Sequence, residues 1–215
     1  MKAKEIPPSG LEGSSRMKQE RDTFPISSEN PNGLPPYSGF QSVAHFGRIS
    51  LYNWDCMELL RQTPDNYYGL CIVDPPYGLG DRTMKGGCDK NTQVRFGSHI
   101  SKGWDVLAPT AEYWQELFRC SSHQIVWGGN YFGLPAHRTF IVWDKMTYPP
   151  TMSQVEQAWT SFDEPARLIQ INSNQPGRIH PTQKPVALYR WLLKNYAKPG
   201  QRILDTHLGS GSIAI

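Results

Sequence analysis

The stretch Gly69-Leu70-Cys71-Ile72-Val73-Asp74-Pro75-Pro76-Tyr77 decides how the fold of this chain is interpreted. Its first five residues form a short, continuous apolar run, which is typical of a strand buried on both faces of a parallel sheet. Asp74 follows directly, so its side chain is expected at the carboxyl edge of that sheet. Pro75 and Pro76 fix φ twice in succession and lack an N–H, and their carbonyls are therefore held in set directions. The stretch predicts a buried strand that ends in a rigid polar turn.

Strands and helices are expected to alternate on both sides of this stretch, which is typical of an α/β sheet covered on both faces. Further strands are predicted at residues 48–52, 124–127, 139–143 and 202–205. Helices are predicted at residues 55–62, after Thr110 and at residues 185–197. Residues 157–162 and 168–171 are expected to form a final antiparallel pair. The pattern thus predicts a mostly parallel sheet whose ligands lie at the carboxyl ends of its strands.

The composition fits one domain preceded by a tail. Residues 1–41 are rich in Pro, Ser, Gly and charge, so they are predicted to be a disordered tail, and residues 42–215 to form the domain. The formal net charge of +3 is compatible with a polyanionic partner but supports one only weakly. The cysteines form no Cys-x-x-Cys pair and the histidines have no ligand-spaced partners, so no metal is expected. Because no signal peptide or bilayer-spanning run is recognised, a cytoplasmic protein without a membrane partner is expected.

A second distinctive segment is Leu204-Asp205-Thr206-His207-Leu208-Gly209-Ser210-Gly211-Ser212. It predicts a strand, a turn with two glycines and the start of a helix. Glycines at such a point let the backbone approach a ligand closely, and Asp205 is a candidate to bind an amino group of that ligand. No Lys-Ser or Lys-Thr pair follows the glycines, so the segment is not a phosphate-binding loop. An ordinary turn between a strand and a helix is the alternative.

Asp74, Pro75, Pro76 and Tyr77 suit chemistry on a planar exocyclic amine. The amine of adenine or cytosine is a poor nucleophile because its lone pair is delocalised into the ring. Two acceptors aimed at its hydrogens, the Asp74 carboxylate and the Pro75 carbonyl, favour a pyramidal nitrogen whose lone pair is free to attack a methyl-sulfonium. The Tyr77 ring would stack on a base swung out of a helix. The alternative is a strand end at which two prolines merely make a tight turn.

The two segments, in this order, resemble the amino-methyltransferases of DNA that act on adenine N6 or cytosine N4 and carry the catalytic motif ahead of the cofactor motif. Phage-borne and restriction-associated members of that family are the most similar. Further matching runs are Trp127-Gly128-Gly129-Asn130, Val142-Trp143-Asp144-Lys145, Ala158-Trp159-Thr160 and His180-Pro181-Thr182-Gln183-Lys184-Pro185. The resemblance covers the chain from about residue 47 to the end. It implies a Rossmann-like fold that uses S-adenosylmethionine as its cofactor.

The resemblance also implies roles for particular residues. It makes Asp74, Pro75, Pro76 and Tyr77 the catalytic residues. The residues implied in cofactor binding are Asp205, Gly209, Gly211, Asp55, Thr182 and Lys184. The chain departs from the family where relatives have Pro-Phe and it has Thr206-His207, and where relatives have Gly and it has Trp54. For Asp55, a helix-capping acid is the alternative.

The resemblance implies duplex DNA with a flipped base as the partner. Asp at the first catalytic position points to adenine N6; relatives that act on cytosine N4 usually have Ser there, and cytosine stays an alternative. Residues 80–104 are basic and follow the catalytic strand, which suits contacts with DNA phosphates, although a solvated surface loop is nearly as well supported. The candidate DNA-binding residues are Arg82, Lys85, Lys90, Arg95 and Lys102.

The strand order of the family raises one further expectation. By resemblance, the strand near Leu51 is the third, the strand ending at Asp74 the fourth and the strand ending at Asp205 the first, and the second would follow Ile215. We therefore expect a C-terminally truncated form with weak cofactor affinity. Two alternatives to DNA methylation remain open: a catalytically impaired DNA-binding fragment of such an enzyme, and methylation of RNA or of a protein glutamine.

Overall fold

Six strands form the main sheet in the computed structural model, which describes residues 38–39, 42–79, 105, 107–146, 153–176 and 183–215. The strands of these ranges are β1 (Ser42–Phe46), β2 (Ile49–Asn53), β3 (Leu70–Val73), β4 (Gln124–Trp127), β5 (Phe140–Asp144), β6 (Val155–Thr160), β7 (Arg167–Gln170) and β8 (Ile203–Leu204). The α-helices are α1 (Cys56–Gln62), α2 (Ala111–Cys120) and α3 (Val186–Tyr196). Almost all of residues 1–41 lie outside the described ranges, so the predicted tail stays a prediction.

The main sheet has the strand order β7-β5-β6-β4-β3-β8. β3 pairs in parallel with β4 and β8, and β5 pairs in parallel with β7. β6 runs antiparallel to both of its neighbours, β4 and β5. Within the described residues β6 is therefore the one reversed strand of the main sheet. The prediction of a mostly parallel α/β sheet is confirmed.

The predicted pairing of residues 157–162 with residues 168–171 is wrong. Both segments contain strands, β6 and β7, but β5 lies between them. β6 returns beside β5, with Gln157 opposite Val142, and β4 occupies its other edge. Because neither edge of β6 is left for β7, the late antiparallel pair of the sheet is β5 and β6.

β2 confirms the strand predicted at residues 48–52, but not the place expected for it in the main sheet. It pairs antiparallel with β1, with Val43 opposite Tyr52, in a separate two-stranded sheet. Gly47 in the connecting turn has a φ of +59°, a conformation that glycine adopts without steric cost. β1 was not predicted, because the run Ser-Val-Ala-His-Phe has too little apolar alternation to mark a strand.

β3 is buried on both faces, as its apolar run predicts. Leu70 and Ile72 pack in one hydrophobic cluster with Leu188 of α3. Cys71 and Val73 pack in a second cluster, which residues of α1 and α2 complete. Successive side chains of a strand point to opposite faces, so this strand joins the two halves of the core. Its carboxyl end, where Asp74 lies, is thereby held in a fixed position.

The helices begin where the sequence places capping residues. The Thr110 side chain accepts a hydrogen bond from the backbone N–H of Tyr113 at the start of α2, as predicted. α3 follows Pro185 and buries Leu188 and Tyr189 against the sheet. After β8 the chain forms a glycine-containing turn and then a short 3-10 helix, Ser212–Ala214. None of the helices described is long and apolar enough to cross a membrane.

Candidate active site

Asp74 and Asp205 follow two neighbouring parallel strands. The register pairs Leu70 with Ile203 and Cys71 with Leu204, so β8 ends opposite Cys71 and β3 continues to Val73 at the same edge of the sheet. The two carboxyl groups that the sequence singled out therefore belong to one edge of the sheet. This is the edge at which open α/β sheets bind ligands.

Both oxygens of Asp74 accept a hydrogen bond from a protein group. The Tyr77 hydroxyl donates to Oδ1 over 2.8 Å, and the Lys184 ammonium donates to Oδ2. The Asp74 side chain retains 25% of its exposure, so it is still accessible to a ligand. Pro75 is buried beside it and Pro76 is half-buried, as expected for a turn seated on the core.

The Tyr77 ring is held between other groups of the site. It stacks on the Tyr131 ring, with ring centroids 4.8 Å apart and an interplanar angle of 20°, and meets Phe132 edge-on at 6.1 Å. Gly128 has a φ of +68°, and a Cβ at that position would lie 2.3 Å from the Tyr77 ring. Burial raises the pKa of Tyr77 far above its ordinary value, with Asp74 and other carboxylates adding to the rise against Lys184. The hydroxyl therefore stays protonated and acts as a donor to Asp74.

Asp105 holds the turn that follows Pro76 and was missed by sequence reasoning. Its Oδ1 accepts the backbone N–H of Tyr77 over 2.5 Å and that of Gly78 over 3.0 Å. Asp105 is buried, and its Oδ2 has no hydrogen-bond partner among the described residues. Nothing local in the sequence marks this residue, because it ends a polar stretch that is typical of a surface loop.

Lys184 lies between two carboxylates. Besides donating to Asp74, its Nζ lies 3.1 Å from Glu156 Oε2, and Lys145 Nζ lies 2.8 Å from Glu156 Oε1. Burial alone would lower the pKa of Lys184, but the attraction of Asp74 and Glu156 raises it well above its ordinary value. Burial would raise the pKa of Glu156, but Lys184 and Lys145 lower it. Lys145, Glu156, Lys184 and Asp74 thus form a row of alternating positive and negative charges. Glu156 was not predicted as a site residue.

Asp205 is a half-buried acid next to this row. Its Oδ1 accepts the backbone N–H of His207 over 2.9 Å. Burial raises the pKa of Asp205 to about 7, and the nearby negative charge of Asp74 adds to the rise. Burial lowers the pKa of His207 to about 4, so this imidazole is neutral near pH 7 and gives Asp205 no compensating charge. A half-buried carboxyl in this state fits a ligand that brings a positively charged amine.

Thr206 and His207, where the chain departs from the family pattern, form a polar chain to α2. The Thr206 hydroxyl lies 2.7 Å from the Tyr113 hydroxyl and 2.9 Å from Nδ1 of His207. The Tyr113 and His207 rings also meet edge-on at 5.7 Å. Thr206 and His207 therefore connect the Asp205 turn to α2 by hydrogen bonds.

The two glycines of the turn leave room for a ligand. Gly209 has a φ of +54° and Gly211 a φ of +76°, a conformation that residues with a side chain rarely adopt. A Cβ at Gly211 would meet no atom within 4 Å. Together with the half-buried Asp205 carboxyl, this open backbone fits the amino-acid end of a cofactor such as S-adenosylmethionine.

Of the other predicted site residues, Asp55 caps a helix and the rest lie outside the described ranges. Asp55 is exposed, and its Oδ1 accepts the backbone N–H of Met57 over 2.7 Å at the start of α1. It is thus a helix-capping residue, and its cofactor role stays a prediction. The residues outside the described ranges are Thr182, Arg82, Lys85, Lys90, Arg95 and Lys102. Among the described side chains, no group of three His, Cys, Asp or Glu is arranged to hold a metal.

Comparison with known proteins identifies the family. The sequence model of the N6/N4-type DNA methylases matches residues 109–215, a segment that includes Glu156, Lys184 and Asp205. The PvuII DNA methyltransferase, a cytosine-N4-specific protein, shares the fold with a TM-score of 0.52 at 15% identity, over 77% of this chain and 76% of that one. Residues 109–215 of the chain therefore match the N6/N4-type DNA methylase family.

Two further relatives are more distant or only partly covered. The type II methyltransferase M.BamHI of Bacillus amyloliquefaciens is 28% identical over 88 residues, which are 40% of this chain and 21% of that protein. The chain therefore matches about a fifth of the length of that relative. A DNA modification methylase of Thermus thermophilus, described as putative and solved with S-adenosyl-L-methionine, superposes with a TM-score of 0.41 at 16% identity, over 74% of this chain and 80% of that one.

Proposed function

We propose that this chain carries the catalytic part of a DNA methyltransferase that transfers a methyl group from S-adenosylmethionine to N6 of adenine in duplex DNA. One observation carries the proposal. Asp74 ends β3 with a quarter of its side chain exposed, beside the Asp205 turn that ends β8. An acceptor for an amine and a turn suited to a methyl donor thus share one edge of the sheet.

Asp74 and Pro75 would prepare the target amine. The Asp74 carboxylate and the Pro75 carbonyl would accept hydrogen bonds from the two N–H groups of the amine. These bonds favour a pyramidal nitrogen with a free lone pair. When bound, S-adenosylmethionine supplies an electrophilic methyl group on a positively charged sulfur. The nitrogen lone pair forms the new N–C bond as the C–S bond breaks with its electrons going to sulfur, and the amine then loses one proton to solvent. Preorganised acceptors of this kind stabilise the positive charge that develops on nitrogen.

The cofactor would lie against the turn between β8 and the 3-10 helix. The Asp205 carboxylate would bind its ammonium group, and the backbone at Gly209 and Gly211 would lie close to it. By family resemblance, Thr182, Lys184 and Asp55 complete this set, although the two carboxylates beside Lys184 favour a different role for it.

Duplex DNA with its target base flipped out is the proposed partner. A base within a duplex is inaccessible to this edge, so it must leave the stack to reach Asp74. By family resemblance, Tyr77 would stack on the flipped base, which would take the place that the Tyr131 ring occupies in the free chain. The candidate phosphate contacts are Arg82, Lys85, Lys90, Arg95 and Lys102. A restriction-modification or phage setting is consistent with the family.

Adenine is favoured over cytosine because Asp, not Ser, precedes the Pro-Pro-Tyr run. Cytosine N4 is the second candidate, since the PvuII enzyme that shares the fold is cytosine-N4-specific. A chain that binds DNA without methyl transfer is the third outcome.

Methyl-labelled S-adenosylmethionine tests the proposal. The chain is incubated separately with duplex DNA, RNA and protein, with Asp74→Ala as the control, and labelled DNA is digested to nucleosides. We expect label in duplex DNA as N6-methyladenine, absent with the variant. Label recovered as N4-methylcytosine would show that the target base is cytosine and not adenine. DNA binding without transfer would support an impaired fragment, and label confined to RNA or protein would overturn the proposal.

A further inference from the structure

Lys184 is among the most buried charged residues in the described part of the chain. Its side chain is 4% exposed, and its ammonium lies at Asp74 on one side and at Glu156, 3.1 Å away, on the other. Nζ also lies 5.1 Å from the centre of the Trp127 ring, within reach of a cation–π interaction. An ammonium group has three donors, and these neighbours surround it. Little of the group is left to bind a carboxylate of a ligand.

The row of charges fixes where the Lys184 ammonium can lie. A buried ammonium is tolerated only when carboxylates compensate it, and removing one member of such a pair leaves an uncompensated charge. Glu156 is itself held by Lys145 over 2.8 Å. The chain Lys145–Glu156–Lys184–Asp74 is therefore anchored at its far end, on β6 and the residue after β5, and ends at the proposed catalytic carboxylate.

We propose that Lys184 is a positioning residue for Asp74 and not a cofactor-binding residue. This inference rests on the proposed function. The terminal torsion of an aspartate is broad, so a carboxylate with one donor can rotate. With Lys184 at Oδ2 and the Tyr77 hydroxyl at Oδ1, the Asp74 carboxylate is held at both oxygens. Its orientation toward an incoming amine is thereby set before the substrate binds.

The donors at Asp74 also define what this residue does in the transfer. Lys184 donates to Oδ2 and the Tyr77 hydroxyl to Oδ1, so both oxygens of Asp74 act as hydrogen-bond acceptors. The proton released from nitrogen passes to solvent as the N–C bond forms and the C–S bond breaks. Lys184 acts through Asp74 and does not touch the reacting atoms.

The variant Lys184→Met distinguishes a role in positioning Asp74 from a role in binding the cofactor. Single-turnover transfer at saturating cofactor and DNA is measured beside the Kd for S-adenosylmethionine by calorimetry. We expect the rate to fall about 100-fold, as for the loss of a preorganised electrostatic group, with Kd changed less than about twofold. Lys184→Arg should recover part of the rate, and Lys194→Met, an exposed lysine of α3, should behave as wild type. A Kd raised about tenfold or more with a near wild-type rate at saturation would overturn the inference.

Glu156→Gln keeps the inference testable if Lys184→Met does not fold. Glu156 contacts Lys184 but is not proposed to touch substrate or cofactor, and glutamine keeps its shape without its charge. We expect a rate reduced about fivefold to tenfold with an unchanged Kd, because the anchor of Lys184 is weakened. An unchanged rate would contradict the positioning role.

A double-mutant cycle tests the interaction between Lys184 and Asp74 without a measurement of methyl transfer. Unfolding of the free chain is compared for wild type, Lys184→Met, Asp74→Asn and the double variant. We expect a coupling of about tenfold in the unfolding equilibrium constant, which corresponds to about 1.4 kcal/mol. If wild type transfers nothing, the proposed function fails, and this cycle alone decides: coupling supports the Lys184–Asp74 pairing and additivity overturns it.

Discussion

The Tyr77 hydroxyl donates a hydrogen bond to Oδ1 of Asp74 over 2.8 Å. The ring of the same residue stacks on Tyr131, so one side chain both restrains the carboxylate and forms an aromatic surface at the sheet edge. The hydroxyl and the ring can be removed separately, which allows their contributions to be measured.

Tyr77→Phe removes the hydroxyl and keeps the ring. We expect the transfer rate to fall about tenfold, since one hydrogen bond to a charged group is lost from the preorganised site. Tyr77→Ala should cost about 100-fold or more, because the stacking surface is lost as well. Steady-state kinetics on duplex DNA measures both. Tyr67→Phe, before β3 at the opposite end of that strand, is the matched control, and equal losses in the two Tyr77 variants would contradict separate contributions.

Gly128→Ala tests the packing of the Tyr77 ring. Alanine is disfavoured at a φ of +68°, and its Cβ would lie 2.3 Å from the ring, so the ring must move. We expect a melting temperature lower by about 3 to 8 °C and a transfer rate at least tenfold lower, on the order expected for about 1–2 kcal/mol of backbone strain and a displaced site.

Gly133→Ala provides the control for that variant. A Cβ at Gly133 would meet no atom within 4 Å, and its φ is not positive. It should leave stability and rate unchanged within error. If Gly128→Ala behaved as Gly133→Ala does, the account of the Tyr77 ring would be wrong.

Asp105→Ala removes the acceptor that holds the turn after Pro76. Two backbone N–H groups, those of Tyr77 and Gly78, lose their partner. Unpaired donors of this kind cost about 1–3 kcal/mol each when buried, so we expect about 2–4 kcal/mol of lost stability in urea unfolding, with slower transfer. Asp105→Asn keeps a carbonyl acceptor and should retain more of both. Asp163→Ala, at an exposed ion pair with Arg138, should cost less than about 1 kcal/mol; an equal loss there would contradict the prediction.

Asp205 predicts a pH dependence of cofactor binding. Its pKa of about 7 means that the carboxyl of the free protein ionises as the pH rises through that value. A cationic amine binds the ionised form, so the affinity for S-adenosylmethionine should rise about tenfold between about pH 6 and pH 8. Asp205→Asn should bind more weakly and lose this dependence. Calorimetry across that range measures it, and an affinity independent of pH in the wild type would argue against Asp205 as the amine ligand.

The same group predicts the pH dependence of stability in the free chain. The folded-state pKa of Asp205 lies above its ordinary value, so its contribution to stability is fully present at acid pH and is lost as the pH rises through about 7. Relative to wild type, Asp205→Asn should therefore gain stability at alkaline pH. Thermal unfolding of both proteins across the range tests the sign, and a relative loss for the variant at high pH would reverse it.

Local sequence signals predicted the elements on either side of Asp74 well. The apolar run of β3 and the Thr110 cap of α2 depend on neighbouring residues, and both are seen. The pairing of β6 was mispredicted because the sheet order depends on contacts between segments far apart in the chain. β1 was not predicted for a similar reason. It pairs with β2 in a separate sheet, and no local sequence pattern marks that pairing.

In the candidate site, too, local features were predicted and contacts between distant residues were not. The segments of Asp74 and Asp205 were predicted to share one edge, and parallel pairing of their strands puts them there. The contact between Lys184 and Asp74, which are 110 residues apart in sequence, was not predicted. Glu156 beside Lys184 and Asp105 at the turn after Pro76 were not predicted either, because they stand in no motif. Charge compensation within a core depends on the tertiary fold, so residue spacing does not reveal it.

The measurement that tests the central claim most directly is methyl transfer by Asp74→Asn. Asparagine has nearly the same shape but lacks the negative charge that would accept the amine hydrogens. Labelled transfer into duplex DNA and the Kd for S-adenosylmethionine are measured on the same preparations. We predict a transfer rate lower by about 1000-fold with a Kd within about twofold of wild type. Transfer by Asp74→Asn at close to the wild-type rate would contradict Asp74 as the catalytic centre.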